Sequence, residues 1–249
     1  SPPAPQNTRS PERHIWVRHT PPMSLLLPPF DPRTVPVVAD GASEGWLPTR
    51  PQRLTPQGLR THFGNPPVWA PELVAEKKFA DRAPADAAVL LPLVMRDELT
   101  LLLTRRTAHL STHSGQIALP GGKVDATDAD AVDAALREAE EEIGLPRAHV
   151  EVLGTLPVYV TGTAFFITPV VALVQPGFEL RPNPDEVDDV FEVPLAFLMD
   201  PRHHRRHALT FEGVVREWYS MPYQDGAHER FIWGATAGML RNLYRFLAA

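Results

Sequence analysis

Stretches of apolar residues along the chain predict a set of β-strands. Residues 85–95 are almost entirely apolar, which is typical of a strand buried on both faces of a sheet. We interpret Pro120-Gly121-Gly122 as a forced turn and Glu212-Gly213 as the turn of a hairpin. The predicted strands are residues 85–95, 99–105, 115–119, 150–156, 165–174, 208–211 and 214–221.

Capping residues mark the ends of the predicted helices. The clearest helix covers residues 128–143, with Asp128 as its predicted N-cap and Gly144 just beyond its end. Thr55 and Pro56 likewise mark the start of a short helix. The other predicted helical segments are residues 54–63, 193–199 and 232–247. Because helices and strands mix without strict alternation, we expect a mixed sheet covered by helices on both sides.

Prolines divide the chain into two parts. Twelve of the 28 prolines lie in the first 51 residues, which disfavours regular helix and central strand there. We interpret residues 1–51 as an extended and partly disordered arm, and residues 52–249 as the folded domain. A rival interpretation is an arm that wraps the neighbouring subunit of a homodimer, as the apolar Leu25-Leu26-Leu27 suggests.

Composition narrows the classes of function. A formal net charge of −6 gives no electrostatic basis for binding a nucleic-acid backbone. The absence of cysteine excludes disulfides, thiol nucleophiles and Cys-ligated zinc, and it fits a reducing cytosol, so we expect a cytoplasmic protein. The most apolar stretch, residues 87–95, is too short to cross a bilayer, and no secretory signal is indicated.

The helix over residues 128–143 has a predicted buried stripe with an acidic face beside it. The stripe consists of Val132, Leu136, Ala139 and Ile143. Glu138, Glu141 and Glu142 are three and four residues apart and therefore share the neighbouring face.

This concentration of glutamates is unfavourable for a free-standing helix. The helix dipole is negative at the C-terminal end, and like charges four residues apart repel one another. A divalent cation would turn the repulsion into attraction, and carboxylate oxygens suit Mg²⁺ and Mn²⁺. The alternative is a solvated acidic helix end.

Gly122, followed by Arg137-Glu138-Ala139-Glu140-Glu141-Glu142-Ile143-Gly144-Leu145, resembles the Nudix box. The second half of the box matches at every fixed position. In the first half, Asp128 stands where the box has Glu, and eight residues rather than seven separate it from Arg137. This departure leaves Asp128 without a predicted role beyond capping the helix.

The sequence before the box resembles a narrower group. Residues 102–106 and 115–122 are similar to the motif that precedes the box in coenzyme A diphosphatases, and residues 231–238 resemble the C-terminal stretch of that subgroup. Departures from the motif are Thr107 where Ser or Ala is usual, Ser111 where Arg is common, and Leu119 where Phe is usual. The resemblance covers roughly residues 54–249.

The resemblance implies a fold, a reaction and a cofactor. The fold is α+β, a Nudix-type α/β/α sandwich with a mixed β-sheet between helices. The reaction is metal-dependent hydrolysis of a diphosphate linkage in coenzyme A or its derivatives, giving 3′,5′-ADP and 4′-phosphopantetheine, with Mg²⁺ or Mn²⁺ as cofactor. The partner is therefore a small nucleotide-type substrate, neither nucleic acid nor membrane.

The resemblance also implies metal ligands. Glu138 and Glu142 would bind the main metals, with Glu141 as a further ligand or the general base. The backbone carbonyl of Gly121 would complete a metal shell, and Arg137 would orient the glutamates.

Residues outside the helix complete the predicted site. Glu186 matches a second acidic loop that supplies a ligand or the general base, although an ordinary loop glutamate is an equal alternative. The candidate substrate contacts are Arg106, Gly122 and His113. The basic run at residues 202–207 could receive phosphates, but we favour a solvated loop or edge strand there.

Two other functions remain open from the sequence. One is a Nudix diphosphatase for another nucleoside diphosphate derivative, such as NADH, ADP-ribose or a dinucleoside polyphosphate. The other is a Nudix-like binding module without catalysis. The three retained carboxylates argue against the second alternative.

Overall fold

Two β-sheets and four α-helices make up the computed structural model, which describes residues 30–78, 83–107, 115–211 and 213–249. The strands are β1 Val37–Asp40, β2 Ala85–Met95, β3 Leu99–Arg106, β4 Ile117–Ala118, β5 Gly121–Lys123, β6 Val150–Thr155, β7 Tyr159–Val160, β8 Phe165–Val174, β9 Val187–Pro194, β10 Arg205–Phe211, β11 Val214–Asp225 and β12 His228–Trp233. The helices are α1 Pro56–Gly64, α2 Ala131–Ile143, α3 Leu195–Leu198 and α4 Gly234–Ala248. Within these described ranges, no helix is long and apolar enough to span a membrane.

The larger sheet is mixed and has eight strands. Its main path runs β4-β3-β2-β8-β6, while β5 pairs with β2, β7 with β8, and β9 with β3. Strands β2 and β8 are parallel, with Ala85 opposite Phe165, and the other pairs are antiparallel. The smaller sheet is antiparallel, in the order β1-β10-β11-β12.

The larger sheet is covered on both faces because its central strands alternate their side chains between two cores. Ala88 and Leu90 of β2 pack with the small and apolar residues of α2, among them Ala135. Leu91 and Leu93 point to the opposite core, which α1, α4 and the smaller sheet share. The predicted α/β/α sandwich with a mixed sheet is therefore confirmed, and the smaller sheet adds to one of its faces.

Several element boundaries follow the sequence prediction closely. Strands β2 and β8 begin and end where predicted, and the N-cap Thr55 accepts a hydrogen bond from the Gly58 N–H at the start of α1. The hairpin of β10 and β11 is also present.

Other predicted boundaries are wrong. Residues 121–123 are not a turn but strand β5, because their backbone pairs with residues 87–89 of β2. Helix α2 starts three residues later than predicted, with Asp130 as N-cap instead of Asp128. Residues 232 and 233 belong to β12 instead of the last helix. Strands β1, β7, β9 and β12 were not predicted.

The second half of the predicted arm contacts the rest of the chain. Strand β1 pairs with β10, and the Phe30 ring centroid lies 5.5 Å from that of Trp218. The Nδ1 atom of His207 lies 2.9 Å from the Val35 carbonyl oxygen. A division of the chain at residue 51 stays a prediction.

Candidate active site

Helix α2 delivers one of its glutamates into the interior. Ala139 and Ile143 are buried as predicted, whereas Val132 and Leu136 are only partly buried. The buried face is rotated toward Glu142, whose side chain is 6% exposed. The sequence had placed this carboxylate beside the buried stripe, and packing against the sheet includes it in that stripe.

The Glu142 carboxylate has few partners for a buried charge. The Gly121 N–H donates to Glu142 Oε2 at 3.1 Å, and Arg106 Nη1 lies 3.9 Å from Oε1. Burial raises the pKa of Glu142 to about 7, and the charges of Glu138 and Glu186 act in the same direction. The site therefore holds a carboxylate that favours a nearby positive charge.

Glu138 lies against the backbone of β5. A Cβ atom built on Gly122 would come within 2.4 Å of the Glu138 Cδ atom, so any side chain at residue 122 would collide with this carboxylate. Burial also raises the pKa of Glu138. The absence of a side chain at Gly122 is what lets the carboxylate approach the strand so closely.

Arg137 connects Asp128 to the acidic face of α2. Its Nε and Nη2 atoms donate to the two carboxylate oxygens of Asp128 at 2.8 and 2.9 Å. Its Nη1 atom donates to Glu138 at 3.1 Å and to Glu141 at 3.0 Å. The hydrogen bonds from Arg137 lower the pKa of Asp128 to about 2. Asp128 therefore anchors Arg137 and does not cap the helix, so its predicted role as N-cap was wrong. The extra residue between Asp128 and Arg137 does not prevent this contact.

A loop folds back onto the end of α2 and carries Glu186. The Arg181 N–H donates to the Ile143 carbonyl and the Asn183 N–H to the Glu142 carbonyl, both at 2.8 Å. The charge of Glu186 adds to the raised pKa of both Glu138 and Glu142, after the larger effect of their burial. Glu186 therefore lies on a loop docked against the end of α2, and its role as a metal ligand or general base stays a prediction.

The predicted site residues differ in how close they lie to the buried carboxylate of Glu142. Glu141 is 60% exposed and contacts Arg137, so it lies at the rim of the site. Arg106, at the end of β3, is inside it, whereas His113 lies outside the described residues. Within the described ranges, no group of three or more His, Asp or Glu side chains is already arranged to hold a metal ion. Arg137 and the Gly121 N–H engage these carboxylates instead.

The donor set nevertheless fits a hard divalent cation. Glu138 and Glu142 offer carboxylate oxygens in a partly buried setting, and the absence of a side chain at Gly122 lets the Glu138 carboxylate lie close to the backbone of β5. Both carboxylates have raised pKa values, so a cation would relieve the cost of their charge.

Sequence reasoning missed two residues that fix the loop beside α2. Asn183 donates to Glu186 through its side chain, and Thr107 donates its hydroxyl to the Asp185 carbonyl at 3.2 Å. The run Asn183-Pro184-Asp185 has the composition of an Asx turn, which is the one local signal that could have indicated a role for Asn183.

The family model of the NUDIX domain matches residues 84–218, which is more than half of the chain and contains the whole acidic site. The chain belongs to the Nudix family. An uncharacterized Nudix hydrolase, NudL of Escherichia coli (strain K12), is 46% identical over 158 residues, covering 63% of this chain and 80% of that protein. A NudL of Shigella boydii serotype 18 matches equally well.

Solved Nudix structures are also similar in part. RenU, a Nudix hydrolase from M. smegmatis, is 29% identical with a TM-score of 0.40, covering 49% of this chain and 78% of that one. The Nudix domain of Shewanella oneidensis NrtR, solved with ADP ribose, is 23% identical with a TM-score of 0.36, covering 46% of this chain and 75% of that one.

Membership of the family settles the class of reaction. The protein is a Nudix diphosphatase, a hydrolase of phosphoric anhydride bonds in small nucleotide-derived substrates. Enzymes of this family generally use divalent metal ions.

Proposed function

We propose that this Nudix hydrolase cleaves the diphosphate linkage of coenzyme A or its thioesters, releasing 3′,5′-ADP and 4′-phosphopantetheine or its acyl form. The observation that carries the proposal is the segment from Leu102 to Gly122, which resembles the motif of coenzyme A diphosphatases. Its described parts lie beside the acidic site. Arg106 stands 3.9 Å from Glu142, and the Gly121 N–H donates to the same carboxylate.

The proposed metal ligands are carboxylates of α2. Glu138 and Glu142 would hold Mg²⁺ or Mn²⁺, with Glu141 as a further ligand or base and the Gly121 carbonyl as an additional oxygen. The bound cation would neutralise the charge of the diphosphate and lower the pKa of a water molecule. Arg137 supports this arrangement, because it contacts Glu138 and Glu141 and is itself fixed by Asp128.

The remaining residues have proposed roles in the attack on phosphorus. The Glu186 carboxylate would take the proton of the attacking water as general base. The Arg106 guanidinium can move its charge from Glu142 to a phosphate oxygen of the substrate. Gly122 and His113 are proposed to contact the substrate.

A panel of substrates tests the proposal. The protein is incubated with coenzyme A, NADH, ADP-ribose and a diadenosine polyphosphate, each with Mg²⁺ and with Mn²⁺, and product release is measured. We expect coenzyme A or an acyl derivative to be cleaved with the highest kcat/KM. If coenzyme A is among the poorest substrates of the panel, the assignment is wrong while the Nudix chemistry stands.

A further inference from the structure

A short loop brings Glu186 to the end of α2, and the backbone of Asn183 fixes both sides of this loop. The Asn183 N–H donates to the Glu142 carbonyl at 2.8 Å. Its carbonyl oxygen accepts the N–H groups of Glu186 and Val187 at 3.1 and 2.8 Å. The residue therefore connects the last turn of α2 directly to the start of β9.

The Asn183 side chain uses both ends of its amide. Its Oδ1 atom accepts the Asp185 N–H at 3.1 Å, which closes the turn. Its Nδ2 atom donates to Glu186 Oε1 at 3.2 Å. The first hydrogen bond shapes the backbone, and the second restrains the orientation of a carboxylate.

We propose that Asn183 is a positioning residue for hydrolysis, because its Nδ2–H group holds the Glu186 carboxylate on a loop that is docked against the last turn of α2. The proposal rests on the role of Glu186 proposed above. A glutamate side chain has several rotamers, and a hydrogen bond from a fixed amide selects one of them. Reactive groups must be held in place closely, since a displacement of about 1 Å can cost roughly 100-fold in rate.

The loop has other anchors that do not depend on the Asn183 side chain. The Thr107 N–H donates to the Glu186 carbonyl at 3.0 Å, and the Thr107 hydroxyl donates to the Asp185 carbonyl. The bond from Arg181 to Ile143 also involves backbone atoms only. Truncating the Asn183 side chain is therefore expected to release the Glu186 carboxylate while the loop stays docked on α2.

Two substitutions at Asn183 separate its two hydrogen bonds. Asn183→Ala removes both. Asn183→Asp keeps an acceptor for the Asp185 N–H but places a carboxylate oxygen where the donor to Glu186 was. We expect both variants to lower kcat by about 10- to 100-fold, the usual effect of losing a residue that orients a catalytic group, with KM changed less than about two-fold.

A double-mutant cycle tests whether Asn183 acts through Glu186. Glu186→Gln alone should lower kcat at least as much as Asn183→Ala. The double variant Asn183→Ala/Glu186→Gln should be no slower than Glu186→Gln, because the group that Asn183 positions is already lost.

Asp188→Asn is the matched control, since Asp188 is an exposed residue of the same segment that pairs with Arg105. Its kcat should equal that of the wild type.

Two measurements apart from turnover accompany the kinetics. The melting temperatures of Asn183→Ala and wild type should agree within about 3 °C. A crystal structure of Asn183→Ala should show an unchanged loop backbone with the Glu186 carboxylate displaced.

The outcomes distinguish this proposal from the substrate assignment, because kinetics are measured with whichever diphosphate the wild type cleaves fastest. Wild-type rates for Asn183→Asp would show that the side chain only shapes the turn and would overturn the proposal. Multiplicative losses in the double variant would overturn it as well. Normal turnover by Glu186→Gln would overturn both this proposal and the role of Glu186, whichever substrate is cleaved.

Discussion

At the scale of single residues, the buried carboxylate of Glu142 decides whether the site can bind a cation. Glu142→Gln preserves the size of the side chain and an acceptor for the Gly121 N–H, but it removes the charge. We expect kcat to fall by about 100-fold or more in an assay with saturating Mg²⁺. Glu140→Gln is the control, because Glu140 is an exposed residue of the same helix that pairs with Arg147. Unchanged turnover by Glu142→Gln would refute the site assignment.

The same variant should be more stable than the wild type when a chelator is present. The pKa of Glu142 is raised to about 7 from an ordinary value near 4.5, so the folded state loses stability as pH rises through this window. A neutral amide avoids that loss. Chemical denaturation at pH 8 should therefore show a gain of roughly 1–3 kcal/mol for Glu142→Gln. The carboxylate is thus kept for function at a cost in stability.

A buried histidine sets a second pH dependence. Arg241 Nη1 lies 3.1 Å from His204 Nδ1, and a guanidinium can only donate, so Nδ1 is the acceptor and the ring proton sits on Nε2. That proton is donated to the Leu198 carbonyl at 2.7 Å. Burial, with the Arg241 charge adding to it, lowers the pKa of His204 to about 4.

Because the folded state resists protonation of His204, stability is complete above the unfolded pKa near 6.5 and falls as pH drops toward 4. From this group alone we expect a loss of about 2 kcal/mol between pH 7 and pH 5. Denaturation at the two pH values checks it, since His204→Gln should remove this part of the difference. His228→Gln, at an exposed position, is the control and should keep it.

At the scale of elements, the fit of α2 against β5 controls where the carboxylates lie. A methyl group at residue 122 would collide with the flexible end of Glu138, not with backbone, so Gly122→Ala should move the carboxylate and leave the fold intact. We expect at least a ten-fold loss of kcat with a stability change below about 1 kcal/mol. Steady-state kinetics and thermal unfolding of the same preparation measure both.

Alanine substitutions at two other glycines serve as references for Gly122→Ala. A Cβ on Gly121 would lie 2.3 Å from the Ala88 carbonyl oxygen, so Gly121→Ala should lower stability by more than about 2 kcal/mol through backbone strain. A Cβ on Gly64 meets nothing within 4 Å, so Gly64→Ala should change neither activity nor stability appreciably. If Gly122→Ala lost as much stability as Gly121→Ala, the backbone of β5, and not the Glu138 side chain, would be the part that shifts.

The elements also show which parts of the fold can be read from sequence. Strands β2 and β8 are nearly continuous apolar segments, so local composition is sufficient to predict them. Strand β9 contains acidic residues that pair with arginines distant in sequence, including Asp189 with Arg230 of β12, and these pairs exist only in the folded chain. Local sequence rules predict a turn at Pro120-Gly121-Gly122. Residues 121–123 instead form strand β5, because β2 provides backbone hydrogen-bond partners.

The candidate site likewise has features that could be predicted from sequence and features that could not. The spacing of Glu138, Glu141 and Glu142 was enough to predict an acidic face, because helical geometry is local. The burial of Glu142 depends on how α2 packs on the sheet, and the contact of Asp128 with Arg137 depends on the path of the preceding loop. Asn183 reaches the site only through backbone pairing with the end of α2.

At the scale of the whole molecule, the smaller sheet and the segments before and after α1 are connected through one buried arginine of α4. The Arg241 side chain is 1% exposed, and its Nε atom donates to Glu72 at 2.8 Å. Its guanidinium lies 5.0 Å from the Tyr219 ring centroid of β11 and 5.5 Å from that of Trp46. Each of these contacts comes from a different part of the chain, so the cluster exists only when all parts are in place.

Arg241→Met should therefore weaken the assembly of the whole fold more than the loss of a surface ion pair would. Methionine fills most of the volume but leaves the Glu72 carboxylate without its buried cationic partner, and removing one member of a buried pair costs about 3–5 kcal/mol. Because Glu72 is 28% exposed and can recruit water, we expect the lower end of this range, about 3 kcal/mol, in equilibrium denaturation.

Arg245→Met is the matched control. Arg245 is 28% exposed and lies 3.9 Å from the same carboxylate, so its loss should cost less than about 1 kcal/mol. Equal losses in the two variants would show that packing of α4, not the buried charge pair, connects these parts of the molecule.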